Sequence, residues 1–161
     1  MPGYSRRIGN GKHRLAVGID PFMHMGYGER TKWMWILRDG NQIPFGLVLV
    51  ESSSRDAAGV PQVCRGYQPK LGELVYDIAW IKDKDGKGGP MTAAVSLVLD
   101  HLRDLHKKCN GGTRSGTVMA LILVGNDRSA DLAQNLGFCS DLTAYQIKNT
   151  THQAVPYYQR L

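Results

Sequence analysis

Two rhythms of apolar and polar positions run along this chain. Residues 32 to 38 alternate, with Trp33, Trp35 and Leu37 on one side and Met34 and Ile36 on the other. A period of two is that of a β-strand, whose successive side chains point to opposite faces. Asp39, Gly40, Asn41 and Gln42 have turn chemistry, and residues 43–51 are again apolar, so a β-hairpin is expected. A further strand is expected from Glu73 to Ile81, dense in β-branched and aromatic residues. The rhythm then changes. Met91, Val95, Val98, Leu102 and Leu105 recur at helical spacing after Pro90, whose missing N–H suits a first helical turn. Lys107 and Lys108 fall in the last turn, where cations favour the negative end of the dipole, and Asn110, Gly111 and Gly112 stop the helix.

Residues 118–124 form the next apolar strand, followed by a short helix. Residues 143–148 and 153–159 read as a closing hairpin. Pro156 has no N–H to donate, which places the last strand at an edge or a bulge. At the other end, residues 1–12 are polar and glycine-rich and read as a loose N-terminal arm of a single domain spanning 1–161. Residues 13–19 are expected as a first strand closed by Asp20 and Pro21. Residues 22–31 show no period and are expected as a loop or one short helix, and residues 52–70 as a long irregular stretch. The order β, loop, β, β, β, α, β, α, β, β describes a mixed sheet with helices packed on it, α+β in class.

Composition narrows the function classes. A hydrophobic content of 42% and a charged content of 21% are globular values. No apolar run approaches the roughly 20 residues of a membrane span, and the start of the chain lacks the apolar core of a signal peptide. Cys64, Cys109 and Cys139 have no paired spacing, which argues against a disulfide framework and a zinc site. No metal site is expected, and a reducing, cytoplasmic setting is the default. The net charge of +6 favours anionic partners. Arg6, Arg7, Lys12, His13 and Arg14 form the one basic tract, without a nucleic-acid-binding motif around it. Nucleic acid is therefore not the expected partner.

Candidate chemistry gathers around the turn between the Glu73–Ile81 strand and its helix. Gly86, Lys87, Gly88 and Gly89 feed the helix directly. A glycine turn there exposes backbone N–H groups beside the positive end of the dipole, an arrangement that holds phosphate. The plainer reading is a turn that only connects. On the strand itself, Glu73 and Asp77 are four residues apart and share a face. Asp77 precedes Ile78, Ala79 and Trp80, apolar neighbours that would desolvate it and raise its pKa.

The later strand is followed by Asn126, a short helix, and then Leu136, Gly137 and Phe138. In this unit the chain resembles the GNAT superfamily of acyl-CoA-dependent N-acyltransferases, whose late motif has those residues at that spacing. The earlier family motif, a strand, an Arg/Gln-x-x-Gly-x-Gly/Ala turn and a long helix, matches residues 78–102 in layout. The resemblance implies a mixed, mostly antiparallel central sheet with helices on both faces. It implies acetyl-CoA as acyl donor, and a small-molecule amine or a peptide as acceptor. It places the cofactor against Ile78, Ala79, Trp80, Ile81, Gly86, Lys87, Gly88, Gly89 and Asn126, with Asp77 and then Glu73 as candidate bases. A backbone N–H at a strand bulge near residues 78–81 would hold the developing oxyanion. Two departures stand out. The Arg/Gln position falls on Asp83 or Asp85, and many members carry a tyrosine, as the acid for the leaving thiolate, where this chain has Ala133. Tyr76, Tyr145, Tyr157 and Tyr158 are possible substitutes, each also readable as a packed aromatic, and Cys139 reads as a small buried thiol. A catalytically degenerate protein of the same fold, binding a CoA-like ligand or a protein partner, is the alternative. Edge strands near the C-terminus make a homodimer the expected assembly.

Overall fold

The computed structural model describes residues 4–8, 15–27, 30–53, 74–83, 89–110, 115–147 and 149–161. Their elements are β1 (Tyr4–Ile8), β2 (Leu15–Tyr27), β3 (Arg30–Arg38), β4 (Pro44–Ser53), β5 (Leu74–Asp83), α1 (Gly89–Asn110), β6 (Gly116–Leu123), α2 (Asp127–Asn135), β7 (Tyr145–Gln146) and β8 (Gln153–Arg160). The strands form one eight-stranded sheet in the order β1-β2-β3-β4-β5-β6-β8-β7. Every neighbouring pair is antiparallel except β5 and β6, which α1 joins as a parallel crossover. The α+β class and the mixed, mostly antiparallel sheet are as expected, while the two described helices lie over one face rather than both.

The expected hairpin is β3–β4. Asp39 fixes its turn, with Oδ1 accepting from the N–H groups of Asn41 at 2.9 Å and Ile43 at 3.0 Å. The helical spacing is realised in α1, where Met91, Val95, Val98 and Leu102 are all buried. They pack with Trp35, Leu37, Val48, Val50 and Tyr76 of the sheet and with Ala133 and Phe138 near α2 in one core. Each such large apolar side chain contributes roughly 1.5 to 3 kcal/mol by leaving water. Polar atoms inside this core are paired. Trp35 Nε1 donates to His101 Nδ1 at 2.8 Å, and the Tyr76 hydroxyl lies 2.7 Å from His106 Nδ1.

Both described helices share this core with Tyr76, Val118 and Ile122, so they lie over one face of the sheet. The opposite face carries Asp77, Met119, Leu121 and Leu123, and no described helix covers it.

Three expectations are corrected. Residues 4–8 are not part of a loose arm: Tyr4 to Ile8 pair with Ile19 to Leu15 and form the edge strand β1. Residues 22–27 are not a loop or helix. β2 runs through Pro21 and on to Tyr27, paired with β3 from Gly18 to Tyr27 except at Phe22. Pro21 pairs with Trp35 and Met23 with Met34, so Phe22 is an extra residue in a bulge, a position that tolerates the missing proline N–H. Cys139 is exposed, on an isolated bridge to Tyr158, rather than buried. The expected irregular stretch at 52–70 lies outside the described residues from 54 onward.

Candidate active site

The two edges of β6 behave differently. Toward β8 it stays paired from Thr117 to Leu123, opposite Arg160 to Ala154. Toward β5 pairing begins at Leu74 and Gly116 and stops at Asp77 and Met119. β5 continues to Asp83 and β6 to Leu123, so the two strands part and the sheet forks. On its other edge β5 is bulged. Leu49 pairs with Trp80 and Val50 with Ile78, which leaves Ala79 as an extra residue outside the β4 ladder. A bulge bends its strand, here immediately beyond the apex of the fork.

The fork opens onto two adjoining cavities. The inner one, about 240 Å³, is lined by Ile78, Val95, Ala120, Ile122, Ala133 and Phe138 among others. The outer one, about 350 Å³, lies between the start of α1 and α2, against Met91, Thr92, Arg128, Asp131 and Asn135. Ile81, Asn126, Ser129 and Leu132 line both, so the two share a wall and together form a channel-like cleft. The channel is apolar at its inner end and polar at its outer end.

α2 is placed by its two termini. Asn126 is the N-cap, its side chain accepting from the Ser129 N–H at 3.2 Å. At the far end, Gly137 N bonds Gln134 O and Phe138 N bonds Ala133 O, a Schellman ending. Gly137 has φ +81°, the left-handed conformation that this ending requires of its glycine. Phe138 then turns into the inner cavity. Asn126, Leu136, Gly137 and Phe138 are thus held in the sequence by the two ends of one helix.

Asp77 stands at the apex. It is the last β5 residue paired with β6, and across β4 it faces Glu51. Burial, and then the neighbouring Glu51 carboxylate, raise the Asp77 pKa to about 6. Glu51 is held by Lys32 at 3.2 Å, a half-exposed ion pair.

The structure brings Ile78, Ile81 and Asn126 together around the channel. Ala79 supplies the bulge and Trp80 the pairing beside it, both through backbone. Gly89 opens α1. Glu73, Gly86, Lys87 and Gly88 lie outside the described residues. Ala133 is buried on the cavity wall, and no described tyrosine lines either cavity. Tyr76 is committed to His106, Tyr157 is buried in the core, and Tyr145 is on the surface. Sequence reading missed Glu51, Val95, Ala120 and Leu132. Val95 belongs to the predicted apolar face of α1, but Glu51 gains its importance only through strand register.

No family model matches the chain, and no curated protein matches it. Solved structures do. NAA60 of Arabidopsis thaliana in complex with a bisubstrate analogue superposes with a TM-score of 0.53 at 12% identity, covering 80% of this chain and 75% of that one. NAA60 of Arabidopsis thaliana in complex with acetyl-CoA superposes with a TM-score of 0.51 at 14% identity, covering 84% of this chain and 78% of that one. At these identities the likeness speaks for architecture alone: the chain has the GNAT-superfamily fold.

Proposed function

We propose that this protein transfers an acyl group, most simply acetyl, from acetyl-CoA to a primary amine. The observation that carries this reading is the fork: an apolar channel whose apex holds a carboxylate of raised pKa beside a strand bulge. One fold neighbour, NAA60, is in complex with acetyl-CoA in one structure and with a bisubstrate analogue in the other, which supports the same donor here.

The residues present fit that donor. The inner channel of Ile78, Val95, Ala120 and Ile122 suits a flexible thiol-bearing arm. Beyond Asp77 the β6-facing edge of β5 is released from pairing, so its backbone groups are available to the amides of that arm. At the outer end, α1 carries no acidic residue in its first turn, and its positive end favours phosphate. The proposal extends the phosphate site to Gly86, Lys87 and Gly88, which lead into α1.

The amine nitrogen attacks the thioester carbonyl carbon. A C–N bond forms and the C–S bond breaks, with the electron pair leaving on sulfur. A backbone N–H at the Ala79 bulge is the proposed donor to the oxygen that becomes charged on the way. Asp77, ionised at neutral pH, takes the proton released by the amine. The thiolate collects a proton from solvent, since Ala133 offers none.

That Ala133 wall favours a second reading, a protein of this fold that binds a CoA-like ligand without efficient turnover. Calorimetric titration with acetyl-CoA, followed by a thiol-release assay over a panel of amines, separates the two. Binding with amine-dependent thiol release supports the transferase. Binding with no release from any amine supports the second reading. In the transferase reading the protein works without a metal and in a reducing, cytoplasmic setting. Among the described residues no helix is long and apolar enough to cross a membrane.

A further inference from the structure

The face of the sheet away from α1 and α2 carries a second pattern. Leu123, Ala154 and Tyr145 form one cross-strand row, because Leu123 and Tyr145 both pair with Ala154. Residues paired across strands share a face, so Tyr145 and Leu123 lie on the same side as Leu121. All three are open to solvent, at 40% for Leu121, 43% for Leu123 and 37% for Tyr145. Exposed leucines at alternate positions of a central strand are unusual, since that face is normally polar or covered.

The strip begins at the apex of the fork. Asp77 pairs with Met119, and Leu121 is two residues further along β6 on the same face, about 7 Å away along the strand. The other end of the pattern is acidic. Asp77 and Glu51 sit side by side on adjacent strands, and among the described residues one ion pair, from Lys32 to Glu51, meets the two carboxylates. Two adjacent carboxylates therefore adjoin an apolar strip, in a chain whose overall charge is +6.

We infer that the acceptor is a primary amine with an apolar body, its ammonium drawn to the Asp77–Glu51 pair and its body laid over Leu121, Leu123 and Tyr145. This rests on the acyltransferase reading above and specifies its acceptor. A polyamine would satisfy the carboxylates and leave the strip bare. A hydroxylated amine would do the same. An amine joined to an alkyl or aromatic group satisfies both ends, whether it is a free small molecule or the amino end of a peptide whose first side chain is apolar.

The test uses the full chain at saturating acetyl-CoA and compares 2-phenylethylamine with ethanolamine and spermidine by kcat/KM. The expected result is a preference of roughly tenfold or more for 2-phenylethylamine. Tyr145→Ser, at an exposed site away from the channel, should cut that preference severalfold through KM while its affinity for acetyl-CoA is unchanged. Leu123→Ser, at a residue that also lines the inner cavity, should narrow the same ratio once acetyl-CoA saturation is re-established for the variant. Equal turnover of the three amines, or a preference for spermidine, would overturn the inference, as would an unchanged ratio in both variants. A parental dimer that Tyr145→Ser dissolves in light scattering, with the amine ratio unchanged, would give the strip to a second copy and equally overturn it. If acetyl-CoA does not bind the parent, the acyltransferase reading itself fails and takes this inference with it. If it binds and is turned over without the predicted preference, only this inference fails.

Discussion

β6 has one edge zipped and one edge torn. Its β8 side keeps its register from Thr117 to Leu123, while its β5 side releases after Met119. The same residues, Ala120 to Leu123, are therefore ordinary sheet residues toward one neighbour and channel wall toward the other. The difference does not come from their own chemistry, which is uniformly apolar. It comes from β5, where the extra residue Ala79 bends the strand, and from α1 and α2, which place Val95 and Leu132 beside the gap. A cleft is made here by ending a ladder early, and the Asp77 carboxylate sits where the ladder ends.

The sharpest way to break this contrast is to fill the open side alone. Ala120→Phe puts a ring into the inner cavity of about 240 Å³ and should abolish measurable acetyl-CoA binding. Because the cavity receives the added volume, the melting temperature should change far less than overpacking a filled core would require, a cost of about 1 to 3 kcal/mol. Calorimetry beside a melting curve checks both parts.

Asp77→Asn probes the apex. Loss of a general base typically costs about a hundredfold or more in rate, and acetyl-CoA affinity should change little. The same substitution should stabilise the protein. The native carboxyl holds its proton up to about pH 6, above the ordinary carboxylate value of 3.8. As pH rises between these values the unfolded chain ionises first, so stability falls, and the penalty is complete above the native value. Removing it should raise stability at neutral pH by up to about 2 to 3 kcal/mol, with no gain at low pH where both states are protonated. The parent kcat/KM should rise with pH and level off near 6, a limb absent in Asp77→Asn. Rate and denaturation profiles across pH would check these opposite signs.

The closed base of the fork is expected to answer in stability. A Cβ added at Gly116 would lie 2.7 Å from His106 Cε1, in the buried ring that bonds Tyr76. Gly116→Ala should cost about 1 to 3 kcal/mol in urea denaturation while acetyl-CoA affinity in the folded fraction is kept. The smallest effect belongs to Asn126→Ala, which removes the α2 cap and should cost about 1 kcal/mol. A loss much beyond that in acetyl-CoA affinity would show that Asn126 also contacts the ligand directly.

Much of this architecture is legible in the chain. α1 declares itself because Met91, Val95, Val98 and Leu102 repeat on one face, and β3 because Trp33, Trp35 and Leu37 alternate. The β2 continuation is hidden because Phe22, the bulged residue, shifts the alternation just where Pro21 signals a break. Asp77 is visible as a strand carboxylate followed by apolar residues. Its neighbour Glu51 is not, because their meeting depends on the register of β4 against β5, fixed by contacts far apart in sequence. The early release of β5 from β6 is equally silent, since no residue at 78–81 or 120–123 forbids pairing. The exposed row of Leu123 and Tyr145 emerges only once β6, β8 and β7 are aligned.

The central claim is that the torn edge of β6 is a binding site for acetyl-CoA. Calorimetric titration of acetyl-CoA into the parent and into Ala120→Phe tests it most directly. The account predicts one saturable site per chain in the parent and none in the variant at equal folded concentration. No binding to the parent at millimolar ligand, or equal binding to both proteins, would contradict it.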